Sequence, residues 1–271
     1  MRSLRIVSAV AISVFKESVR DKVLYNLVAF AVLLMAGSYL IGQLTAGQDI
    51  KIIKDLGLAA IATFGLMIAV FIGIGLVWKE VERRSIYSLL SKPLSRAEFI
   101  LGKYCGLGLT LSVNVAVMVV AWYAVLAYMS TTVSPAVRAG WAAPATDPGM
   151  LPAVGLILVE LMLVTAIALF FSTFSSPFLS AGLTLGLWVI GHFNADLKNF
   201  QSVVDSPAAA WLAHGLYYVL PNFSAFDIKQ QVVYAQPVPV AYLASTALYG
   251  AVYIGFLLVA SVAVFSRRDF K

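Results

Sequence analysis

Apolar residues run along this chain in unbroken stretches of bilayer-spanning length, and polar residues gather between the stretches rather than alternating through them. Six such runs stand out, at 24–44, 56–78, 105–129, 151–173, 177–193 and 242–265. Continuous runs of this length predict helices, whereas the strands of a membrane barrel would alternate apolar and polar positions. In hydrocarbon every backbone N–H and C=O needs a partner inside the protein, and a helix supplies it within its own segment. The predicted fold is therefore an all-α membrane protein, a single transmembrane domain over residues 1–271 with six transmembrane helices.

The fifth run is the shortest, and only Ser175-Ser176-Pro177 separates it from the fourth. The break predicts a tight helical hairpin in which Pro177 opens the returning helix. Without that hairpin the count falls to five and the last residues change side. Residues 1–22 carry an apolar stripe (Leu4, Val7, Ala11, Val14) beside Arg2, Arg5, Lys16 and Arg20. A signal peptide competes for this segment, but its apolar stretch ends early and a charged run from Lys16 to Lys22 replaces a small-residue cleavage site. The pattern predicts an amphipathic helix lying in the membrane interface. Residues 130–150, rich in Pro, Ala and Thr, read as irregular. Residues 194–241 form a long semi-apolar loop with Trp211, Tyr217 and Tyr218 before Pro221-Asn222-Phe223. Aromatics at that density suit short helices at the outer interface or dipping into it, closed by a turn at Pro221.

Composition agrees. Of 271 residues, 61% are hydrophobic and 12% charged, whereas soluble chains run near half apolar and a quarter charged. Lipid is part of the solvent. A net charge of +6 would suit nucleic acid, but the basic residues sit beside the apolar runs and point to topology instead. Fourteen of the nineteen lie in 1–22, in 79–104 or in the tail after 265; Lys51, Lys54, Arg138, Lys198 and Lys229 fall in the remaining loops. The positive-inside rule then puts both termini and the 79–104 loop in the cytoplasm, in a multi-pass protein of the bacterial inner membrane. Cys105 is the only cysteine, so no intramolecular disulfide forms.

The 79–104 loop, between the second and third spans, holds the most informative pattern. A charged start through Glu82, Arg83 and Arg84 leads to an apolar patch of Ile86, Tyr87, Leu89 and Leu90 at near-helical spacing. Pro93 stops that short helix by disfavouring the α conformation in Lys92. Ser95 with Glu98 three residues on reads as a capping box opening the next helix. An apolar patch on a short amphipathic helix outside the membrane marks a docking surface, although a connector held at the interface by its basic residues would share the pattern. Glu160 is the one acidic residue near the middle of a predicted span. It is a candidate for the translocation path, or a hydrogen-bonded residue at a helix interface. His192 and His214 lack companion ligands for a metal and read as interfacial polar residues; a pair with Asp196 would need the fifth helix to continue. Gly182-x-x-x-Gly186 is a candidate dimer seam. Gly102-Lys103 is followed by Tyr104, with Ala97 where a P-loop glycine would stand, so no nucleotide cradle is present in the chain. No serine- or zinc-protease motif occurs either.

The run Glu82-Arg83-Arg84-Ser85, then Leu89-Leu90-Ser91-Lys92-Pro93-Leu94-Ser95-Arg96 and Gly102-Lys103, resembles the cytoplasmic loop of type-2 ABC export permeases. That family shows Glu-x-Gly-Thr, Leu-Leu-x-x-Pro-Val-x-Arg and a closing Gly-Lys; this chain departs from it at Arg84 and Ser85. The resemblance extends to the amphipathic start, the six spans, the long last external loop and the Arg267-Arg268-Asp269-Phe270 tail. It implies that the loop is a coupling helix seated in a separate ABC ATPase subunit, with Glu82, Arg83, Leu89, Leu90, Pro93 and Arg96 as ATPase-coupling positions. It further implies a dimer with itself or a sister permease, and ATP and Mg bound on the partner ATPase rather than here. The chain is then expected to be a non-enzymatic permease subunit of an exporter in contact with membrane lipid. A membrane scaffold that docks some other cytoplasmic assembly is the alternative, and an intramembrane enzyme lacks a catalytic constellation. The mostly apolar runs favour a lipid-like or amphiphilic cargo.

Overall fold

The apolar runs fold as helices, and the polar segments between them set where each helix starts and stops. The structure, a computed structural model, describes residues 2–43, 49–82, 95–194, 215, 217 and 219–267. Its longer helices are α1 (Arg2–Ser18), α2 (Lys22–Gln43), α3 (Asp49–Glu82), α4 (Arg96–Thr132), α5 (Leu151–Ser172), α6 (Pro177–His192) and α7 (Val240–Arg267). Among the described residues, α2, α3, α4, α5 and α7 are each long and apolar enough to cross a membrane. This is a multi-pass membrane protein. The fifth predicted span is realised as α6, whose 16 residues reach about 24 Å, short of a hydrocarbon layer about 30 Å thick.

Local chemistry explains the boundaries. Ser95 caps α4: its Oγ accepts from the Glu98 N–H (3.2 Å) and its own N–H donates to Glu98 Oε2 (2.9 Å), the reciprocal box that the spacing predicts. Pro177 lies in the first turn of α6 and Ser176 caps it, so the α5–α6 hairpin forms as the break predicts. At the hairpin, Ser175 Oγ lies 2.9 Å from the Phe171 carbonyl and 2.7 Å from Ser180 Oγ. Hydroxyls and amides within the helices mostly fold back on the preceding turn, as Thr110 does on Gly106, Asn114 on Thr110 and Thr165 on Leu161.

α3 and α4, with 34 and 37 residues, are about 50 Å and 55 Å long and outrun the hydrocarbon. The stretch that reads as one loop over 79–104 is therefore helix at both ends, and residues 83–94 lie outside the described residues. Residues 130–150 are partly ordered too, by the end of α4 and short helical turns at Pro135–Ala139 and Pro148–Met150. Two side chains pin this segment. The Lys54 ammonium donates to the Pro144 carbonyl (2.9 Å) and the Tyr123 hydroxyl to the Asp147 carbonyl (3.0 Å). Lys54, expected in a loop, is thus buried in α3 and satisfied by backbone.

α5 sits at the centre, touching α3, α4, α6 and α7, while α2 flanks α3 and α4. Ile61 and Ile68 of α3, Met118, Trp122 and Leu126 of α4, and Leu161, Val164 and Ile167 of α5 form the core. Trp122 fills the space over Gly57 and donates its indole N–H to the Ile53 carbonyl (3.2 Å). The outer faces of α2, α6 and α7 stay apolar and exposed, with Phe178 at 92% the extreme. In water that would be untenable, but hydrocarbon covers it without cost.

Candidate functional site

Two places in the bundle collect chemistry, one at each end. The first is where α4 begins. The Arg96 guanidinium donates to the carbonyls of Phe265 (2.9 Å) and Ser266 in the last turn of α7. A helix's last carbonyls lack intrahelical donors, and a cation there also meets the negative end of the dipole. One turn along, Phe99 stacks on Phe265 with centroids 5.8 Å apart. The start of α4, and with it the chain leaving the 83–94 segment, is thereby tied to the end of the last helix.

α1 lies on the same part of α4. A Cβ at Gly106 would sit 2.6 Å from the Ala11 carbonyl oxygen and 2.7 Å from Val14, and one at Gly102 would sit 2.7 Å from Val10. Only glycine lets the two backbones approach so closely. Between them Lys103, counted with the loop's basic residues in the sequence, is fully buried with its Nζ 4.7 Å from the centre of the Phe99 ring.

Of the coupling positions, Arg83, Leu89, Leu90 and Pro93 lie outside the described residues, and Glu82 is described only as the last residue of α3. Arg96 is described, and it faces α7. A Cβ placed on Gly182 or Gly186 would meet nothing within 4 Å among the described residues, so no described neighbour packs against this pair.

The second place surrounds Glu160. Its carboxylate is buried in α5 and accepts from the Trp188 indole N–H (2.8 Å). His192 Nε2 lies 3.6 Å from the same oxygen, while Nδ1 lies 3.1 Å from the Trp188 carbonyl. The sequence suggests an interfacial polar role for His192; the ring is half-buried in the last turn of α6, where it meets Glu160. His214 lies outside the described residues, as does Asp196. Chain from beyond α6 fills the space above. Phe223 is buried, stacks on the His192 ring (5.7 Å) and donates its N–H to the Gly191 carbonyl (3.0 Å). Phe226, Ile228, Val232 and Val233 bury in the same core, so the turn after Pro221 dips into the bundle rather than lying over it. Asp227 and Lys229 pair nearby at 3.2 Å.

The spacing of Trp188 and His192, four residues apart on one helix, is visible in the sequence; that Glu160 faces them is not. Gly102-x-x-x-Gly106 is equally visible, but the Gly-Lys that closes the loop draws attention away from it. Among the described residues no three His, Cys, Asp or Glu side chains gather as metal ligands would. Neither cluster offers a nucleophile beside a base. What both can do is hold helices in register or let them move.

No curated protein matches the chain. The sequence model for ABC-2 family transporter proteins, however, matches residues 8–270, from within α1 to the tail beyond α7. The chain belongs to the ABC-2 transporter family, whose membrane-embedded members are transport components and not themselves catalytic.

Proposed function

We propose that this chain is the transmembrane permease subunit of an ATP-driven ABC export system. It works as a dimer, with itself or a sister permease, and draws its energy from separate ATPase subunits that hold ATP and Mg. The observation that carries the reading is a family match running nearly end to end over a bundle with five membrane-length apolar helices. In this reading α6 and the buried 221–233 segment together make a sixth passage. Both termini face the cytoplasm of the bacterial inner membrane, as the basic residues ask.

Residues 83–94 are then the coupling loop, presenting Leu89 and Leu90 to the ATPase with Glu82 and Arg83 setting register. α3 and α4 are longer than the hydrocarbon and would carry that loop clear of the membrane. Arg96 acts here through α7: when ATPase closure pushes the loop, the last helix is pulled along with α3 and α4. The cargo is lipid-like or amphiphilic, moved outward from the cytoplasm or inner leaflet.

Affinity purification of the tagged chain from its native host tests this. A P-loop ATPase should accompany the wild-type chain and be lost with Leu89→Asp or Leu90→Asp while the bundle still folds. If no ATPase accompanies the wild type, the chain is a scaffold; if both variants keep it, the loop is not the coupling element.

A further inference from the structure

The cluster around Glu160 has a proton to account for. His192 turns both ring nitrogens toward oxygen: Nδ1 lies 3.1 Å from the Trp188 carbonyl and Nε2 lies 3.6 Å from Glu160 Oε1. A carbonyl only accepts, so Nδ1 is assigned the hydrogen. In a neutral ring that leaves a bare lone pair on Nε2. The lone pair then points at a carboxylate oxygen, an acceptor that already takes the Trp188 indole N–H at 2.8 Å. Two acceptors facing each other beside a buried carboxylate repel, and one further proton between them turns repulsion into attraction. Imidazolium against carboxylate contains that proton, and so does neutral imidazole against carboxylic acid. In either form the pair holds it jointly.

The surrounding groups do not replace it. Asp227 and Lys229, on the segment after α6, act on Glu160 with opposite signs and pair with each other at 3.2 Å. α3 lies alongside, with Gly65 against Leu161, and has no ionisable side chain between 56 and 78. α4 brings Tyr104, whose hydroxyl donates to the Met162 carbonyl (3.3 Å). Tyr217, Tyr249 and Tyr253 border a cavity beside Asn194 and bring phenols rather than charges.

The position of the pair gives the proton a mechanical consequence. Along α6, Leu183, Val189 and Ile190 are exposed, so the helix is held from the side that bears Trp188 and His192. His192 lies in the last turn, and Phe223 rests on it, stacking on the ring and donating its N–H to the Gly191 carbonyl (3.0 Å). Whatever keeps His192 against α5 therefore also keeps the turn after Pro221 in place.

We propose that Glu160 and His192 share one proton as a clamp that joins the end of α6, and the Phe223 turn on it, to α5. With the proton in place, the end of the bundle away from Arg96 is shut. When it leaves, the Nε2 lone pair and the carboxylate push α6 and Phe223 away from α5. The folded cluster holds a proton that the unfolded chain releases, so stability falls as pH rises. The clamp goes beyond the permease reading and needs no ATPase.

The test follows thermal unfolding of the full chain in phosphatidylcholine nanodiscs from about pH 6 to about pH 8.5, the range in which imidazole exchanges its proton. The wild-type midpoint should fall by about 2 °C or more beyond any fall in Glu160→Gln, whose amide keeps an acceptor for Trp188 but cannot hold the proton. His192→Gln should lose most of the fall as well. Over the same range hydrogen exchange, corrected for its own dependence on pH, should rise about fivefold or more across 188–193 and 221–226 and stay level where α1 meets α4. That readout uses the wild type alone, so it decides the matter even where a variant does not fold. Equal falls in wild type and Glu160→Gln overturn the proposal, as does exchange that stays unchanged or rises throughout the bundle. A full fall retained in His192→Gln assigns the proton to Glu160 alone and overturns the sharing. None of these outcomes bears on whether an ATPase co-purifies.

Discussion

Two pairs of glycines at the same spacing behave in opposite ways. Gly102 and Gly106 on α4 are covered by α1, with the Ala11 carbonyl and the Val10 and Val14 side chains where their Cβ atoms would be, whereas Gly182 and Gly186 on α6 face open space. The regions around them differ likewise. The α1–α4–α7 end is stitched by close backbone approach, a capping box, the Arg96 bridge and a stacked Phe99–Phe265 pair. α6 is held mainly along one side, by the Glu160–Trp188–His192 cluster and the Phe223 contact, and shows lipid or a partner its other face. Small-residue spacing therefore states only that a close approach is permitted. A neighbour whose own surface fits decides whether it occurs.

The strongest challenge to this contrast is a pair of matched substitutions. Gly106→Leu should cost about 3 kcal/mol or more, because the obstructing atom is backbone and cannot swing aside. Gly186→Leu should leave protomer stability within about 0.5 kcal/mol. Thermal unfolding in detergent reads both, and equal losses would end the distinction. If α6 is a dimer seam, Gly186→Leu will instead shift the mass measured by light scattering, with the midpoint of the monomer unchanged.

The next effect is at Glu160. Glu160→Ala strips the acceptor from a buried indole N–H and should cost about 1–3 kcal/mol, while Glu160→Gln keeps an oxygen in place and should cost about half as much or less. Changed Trp188 emission, read in a background without the other tryptophans, would accompany the alanine change. If Glu160→Gln is as damaging as Glu160→Ala, a negative charge rather than an acceptor is what the site needs.

At the stitched end, Arg96→Ala should cost about 1 kcal/mol, and hydrogen exchange should rise in the last turn of α7, at 262–267, rather than throughout the bundle. Under the permease reading the same variant keeps its ATPase but uncouples hydrolysis from transport. Loss of ATPase binding instead would return Arg96 to the docking surface. The smallest change is Ser95→Ala, about 1 kcal/mol or less from one capped N–H, with faster exchange confined to the first turn of α4.

Much of this is legible in the chain itself, for a local reason. A run of apolar residues near 20 long, a Ser three residues before a Glu, and a Pro after two serines each act within a few residues, so the helices, the Ser95 box and the Pro177 start emerge without knowledge of neighbours. Span length is less secure. The run through 177–193 has the look of a crossing, but α6 ends at His192, where Phe223, some thirty residues downstream, packs against its last turn.

By itself, then, the sequence determined the class: an all-helical, multi-pass membrane chain of the ABC-2 type, since solvent preference and helix boundaries are properties of short segments. Only the tertiary structure decided which polar groups meet. Arg96 to the end of α7 joins residues 169 apart, and Glu160 to Trp188 joins residues 28 apart on different helices. Such pairings depend on how two helices rotate and slide against each other, and that is settled by the packing of every side chain between them.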